Sequence, residues 1–107
     1  MTDRALLELA AKAIGQDLYW LDDCSPAIAG RLWNPLDDDG DALRLAVKLG
    51  MRVSTRNGGA RPIAEVMIGY GLLAANSGKA ELHGDDAMAA TRRAIVRAAA
   101  EIGRAMP

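Results

Sequence analysis

The feature that most constrains this chain is its last helical segment. From Asp85 or Asp86, either of which can cap a helix, to about Arg104 it contains neither proline nor a turn signal and is dominated by alanine. At about 100° per residue, Met88, Ile95, Ala99, Ile102 and Met106 fall on one face, and Arg93, Arg97 and Arg104 on the other. The spacing predicts a helix that buries one stripe and presents an arginine row on the opposite side. Because the apolar residues are mostly small, whatever packs on this helix must approach it closely.

The rest of the composition points the same way. Half of the 107 residues are apolar, yet phenylalanine is absent and Tyr19, Trp20, Trp33 and Tyr70 are the only aromatics. A core of Leu, Ile, Val, Met and Ala in one domain spanning residues 1–107 is the expectation. Such a core gains from added interface, so a homodimer is compatible with it.

Elsewhere the elements declare themselves by caps and periodicity. Thr2 or Asp3 can cap a first helix to about Ile14, with Leu6, Leu7, Leu9, Ala10, Ala13 and Ile14 at helical spacing and Gly15 as its stop. Leu18-Tyr19-Trp20-Leu21, within Asp17 to Asp22, suits a short strand. Asp23 to Gly30 reads as irregular, and Arg31 to Trp33 as a second short strand. Asp37-Asp38-Asp39-Gly40-Asp41 then opens a short helix that Gly50 ends, with Ala42, Leu45, Ala46 and Leu49 on one face. Met51 to Arg56 alternates at strand period, Asn57-Gly58-Gly59 is a hairpin turn, and Pro62 to Tyr70 supplies the returning strand. Leu72 to Leu82 fits either helix or strand. The order α, β, (β), α, β-hairpin, α predicts an α+β fold: three helices with a small, mainly antiparallel sheet of three or four strands.

The chemistry-bearing residues are few. Asp37, Asp39 and Asp41 alternate like the start of a calcium loop, but Ala42 stands where that loop needs glycine and Lys48 where it needs glutamate; helix capping is the better reading. Gly69-Tyr70-Gly71-Leu72-Leu73-Ala74 matches a dinucleotide fingerprint, but Asn76-Ser77-Gly78 interrupts the helix such a loop must open. Cys24 and His83 are the only thiol and imidazole, too few to complete a zinc tetrahedron, and nothing in the sequence links them as a dyad. A single cysteine fits a reducing compartment. These readings predict a chain without catalytic residues, cofactor or metal.

Thirteen basic residues against fourteen acidic, a net charge of −1, argue against a whole-domain polyelectrolyte binder. No apolar run approaches the length of a membrane span, and Met1-Thr2-Asp3-Arg4 leads into an amphipathic helix rather than a signal peptide. The arginines remain. Arg93, Arg97 and Arg104 form the helix row, with Arg92 on the same helix, while Arg52, Arg56 and Arg61 surround the hairpin turn at Asn57. Arginine presents a planar fork to carboxylates and phosphates, so an acidic protein surface or, as the alternative, a nucleic-acid backbone suits them. Trp33, ahead of Asn34-Pro35, reads as a loop staple or as an interaction anchor.

Three blocks carry a family resemblance: Leu6 to Ala13; Trp33-Asn34-Pro35-Leu36 followed by Asp39 to Leu49; and Ala90 to Gly103. Together, over about half the chain, they resemble the phage "ABA sandwich" domain, found in small proteins of tailed phages and bacterial prophages. The resemblance implies a small sheet covered by helices in an α/β/α sandwich. It also implies a phage or prophage gene acting in the bacterial host cytoplasm. It brings no established activity and no catalytic residues. The expectation is therefore an accessory protein that binds a host or phage protein, with the arginine face of the last helix (Arg93, Arg97, Arg104) or the hairpin (Arg56, Asn57) as the candidate contact surface and Trp33 as a candidate anchor.

Overall fold

A computed structural model describes residues 1–56, 63–68, 76–81 and 86–107. Three helices and two antiparallel three-stranded sheets make an α+β fold. Helix α1 spans Asp3–Ala13, and the Thr2 hydroxyl accepts from Ala5 N at 3.1 Å as its N-cap. The first sheet joins β1 (Tyr19–Trp20), β2 (Pro26–Ile28) and β3 (Arg31–Leu32). Helix α2 follows at Asp39–Lys48. The second sheet has the order β4 (Arg52–Arg56), β5 (Ile63–Ile68), β6 (Asn76–Glu81), with Val53 opposite Val66 and Val66 opposite Gly78. Helix α3 closes the chain at Ala87–Ala105, capped by Asp86, whose carboxylate accepts from Ala89 N at 2.8 Å.

The strands are antiparallel as expected but divide between two sheets where one was expected, and Asn76–Glu81, within the ambiguous Leu72–Leu82 stretch, is strand, the rest of that stretch lying outside the described residues. The first sheet differs from expectation. Pro26–Ile28, read as irregular, is a strand at the centre of its sheet. Ala29 (φ 52°) and Gly30 (φ 83°) form the two-residue turn into β3, both in the left-handed region that a tight hairpin turn demands. The Tyr19 hydroxyl accepts from Gly30 N at 3.0 Å and ties β1 to that turn.

Helix α3 organises the core. It packs against α1, α2 and all three strands of the second sheet. Ala90, Ala94, Ile95, Val96, Ala98, Ala99, Ala100 and Gly103 are all buried. On the helical wheel they span about 280°, so the helix is enclosed except along the arginine row. The single buried stripe therefore needs correction. Ile95 and Ala99 belong to the core, but Met88 and Met106, at the two ends of the helix, are exposed. Alanines supply most of the buried surface instead.

The α1–α3 contact is the most extensive between elements and shows why small residues are needed. Asp3, at the start of α1, pairs with Arg93 near the start of α3 at 2.7 Å. Lys12 Nζ, at the end of α1, donates to Met106 O at 3.0 Å. Start meets start and end meets end, so the two helices run parallel. Between those ties, a Cβ at Gly103 would lie 2.0 Å from the Leu9 carbonyl oxygen. Only glycine permits that backbone approach.

Candidate functional site

The acidic cluster is a helix cap with a second duty. The Asp38 carboxylate accepts from Asp41 N at 2.7 Å as the N-cap of α2. Asp41, the buried charged residue of the core, accepts from Asn34 N at 2.9 Å and from Arg44 at 2.7 Å. Asn34 Oδ1 in turn accepts from Leu36 N at 3.1 Å. The stretch from Trp33 to Leu36 is thus fastened to the first turn of α2. Arg92 fastens it again from α3: Nε donates to Leu36 O at 2.8 Å, and the guanidinium pairs with Asp39. No group of three or more potential metal ligands occurs among the described residues.

Trp33 is only 5% exposed and belongs to the core cluster. Its burial favours the loop staple over the partner contact, and its backbone N–H donates to Pro26 O at 2.9 Å. The arginine row is exposed as expected, but it is engaged within the chain. Arg93 pairs with Asp3, Arg104 with Glu101 at 2.7 Å, and Arg97 is not free either. Each such pair lowers the positive potential that the row offers to a partner. Arg56 ends β4 opposite Ile63, and its side chain lies outside the described residues, as do Asn57, the Asn57-Gly58-Gly59 turn, Arg61, the Gly69–Ala74 fingerprint and His83. Cys24 is exposed.

The structure brings together a set that sequence reasoning did not single out. Between α2, β4 and α3 lies a groove of about 260 Å³. Ala42, Ala46 and Ile95 are buried at its floor; Leu43, Val53 and Met88 stand at its rim. Val47 lies one turn along α2 from Leu43. Leu43 is 64% exposed, Val47 71%, Met88 55% and Val53 41%. Three large apolar side chains kept in water around one depression, with Val47 exposed beside them, is costly for an isolated domain, and such patches mark interaction surfaces. The Arg92–Asp39 pair gives the groove one charged end. The signal was in the sequence: Leu43 and Val47 are large apolar residues at i, i+4, outside the stripe that Leu45 and Leu49 bury.

Comparison with known proteins returns no matching family model, no matching curated protein and no matching solved structure.

Proposed function

We propose that this chain is a non-enzymatic interaction module that binds a host or phage protein through the groove between α2, β4 and α3. The observation that carries the reading is the exposure of Leu43, Val53 and Met88 around one apolar depression. The occupant it fits is an apolar helix or strand face whose large side chains seat on Ala42, Ala46 and Ile95, in the manner of an interface hot spot. The intrachain pairs of Arg93 and Arg104 support the groove over the arginine row as the contact, and over the nucleic-acid alternative. Source and compartment, a tailed phage or prophage protein in the bacterial host cytoplasm, rest on the resemblance of the three sequence blocks.

The test compares two double variants in one capture experiment. Leu43→Asp with Met88→Asp disables the groove; Arg93→Glu with Arg97→Glu inverts the row. Capture of a defined protein that survives the arginine variant and is lost with the groove variant, both remaining folded, supports the proposal. The reverse pattern refutes it. A nucleic acid recovered in its place, with affinity falling steeply as salt rises, returns the alternative to the front.

A further inference from the structure

A second cavity, of about 270 Å³, lies away from the groove, between the β2–β3 hairpin, the end of α1 and α2. Its walls are chemically divided. Ile14, Ile28, Trp33 and Leu45 make an apolar interior, while Arg31 stands on the hairpin side and Arg44 and Lys48 on one row of α2. No carboxylate among the described residues lines it. Arg44 is neutralised by Asp41 at 2.7 Å and Asp38 at 3.7 Å. Arg31 and Lys48 have no side-chain partner among the described residues, so two uncompensated cations border an apolar hollow. The hairpin turn contributes Ala29 to the wall, in a left-handed conformation that a residue with a Cβ rarely adopts.

We propose that this cavity binds a small organic anion with an apolar body, its carboxylate held by Arg31 and Lys48 and its body against Ile28, Trp33 and Leu45. The charge pattern sets the sign of the ligand, and the division of the walls requires an amphiphile rather than a simple ion. The volume sets its size. An apolar cavity of about 150 Å³ accommodates a benzene ring, so about 270 Å³ holds a ring with a short acid chain. The forked guanidinium of Arg31 suits bidentate capture of a carboxylate, and Lys48 adds a point charge.

The probe is 3-phenylpropionate, titrated into the ¹⁵N-labelled chain and followed by amide shifts, with 3-phenylpropanamide and inorganic phosphate as comparisons. A ligand of this size at ordinary efficiency binds with a Kd on the order of 1 mM. The expected result is saturable shifts at Ile28, Ala29, Trp33 and Lys48 with the acid. The amide and phosphate should each bind about tenfold more weakly. Arg31→Ala with Lys48→Ala should weaken the acid about tenfold and leave Tm unchanged, since both side chains are exposed and unpaired. Equal binding of acid and amide, equal binding of acid and phosphate, shifts confined to another surface, full affinity in the double variant, or no saturable shift would each overturn the proposal.

Discussion

Replacing Gly103 with alanine should destabilise the fold by about 2 kcal/mol, against the usual benefit of alanine in a helix. A Cβ built at this position lies 2.0 Å from the Leu9 carbonyl oxygen and 2.8 Å from its carbon, whereas real contacts exceed 3.0 Å. The obstacle is helix backbone, so a rotamer change cannot relieve it, and α1 and α3 must separate by about 1 Å. That opens the contacts of Ala10, Ala11, Ala99 and Ala100, all of them buried. Overpacking of this kind costs about 1–3 kcal/mol, and a rigid backbone obstacle puts the cost at or above the upper end. Alanine's helix propensity returns about 1 kcal/mol. At about 4–8 °C per kcal/mol, the net loss lowers Tm by about 10 °C. Thermal unfolding of Gly103→Ala beside Gly40→Ala makes the test. The atoms nearest a Cβ at Gly40 are side-chain ends, of Arg44 and of the capping Asp38, at 3.1–3.2 Å, so that variant should stay within about 1 kcal/mol of the parent. If Gly103→Ala matched Gly40→Ala, the close-approach account of the α1–α3 contact would be refuted.

Other outcomes follow from the same geometry. Asp41→Ala leaves Asn34 N–H without its acceptor and Arg44 without its closest partner, and should cost about 1–3 kcal/mol in urea unfolding; Asp41→Asn, which keeps an acceptor, should cost less. Ala29→Asn places a residue tolerant of left-handed backbone ahead of Gly30 and should raise stability by about 1 kcal/mol; no gain in the unfolding midpoint would mean that the turn is not strained. The Asp22 carboxylate accepts from Cys24 N at 2.8 Å and is further held by Ser25, so it should titrate below the ordinary 3.8 in a side-chain NMR titration. Since its folded value is depressed, its stabilising effect is complete above the unfolded value and lost as pH falls through the folded one; the residue is fully exposed, so acid unfolding should be governed elsewhere.

The helices were legible because their ends are written in residue types: Thr2, Asp38 and Asp86 cap them, and Gly15 and Gly50, both at positive φ, follow the first two. The β4–β5 pairing was legible from alternation at Met51 to Arg56. Strand β2 was hidden because Pro26–Ile28 is too short for a period, and its turn uses Ala29 where asparagine or glycine normally signals a hairpin. The extent of burial around α3 was hidden because alanine carries little weight in a hydrophobic pattern, yet a helix enclosed on most sides has room for little else. The site was the least legible part. Arginines stand out in a sequence, but Arg93 and Arg104 find their partners only in the folded chain. The groove depends on Val53 and Met88 arriving beside Leu43 from distant segments, which no local pattern encodes.

The most direct test of the central claim is site-specific photocrosslinking in the cells that carry the gene, with the reactive side chain placed at Leu43 in one variant and at Arg97 in another. A groove that docks a protein predicts one adduct of defined mass from position 43 and none from position 97. An adduct from position 97 alone, or from neither, would contradict it.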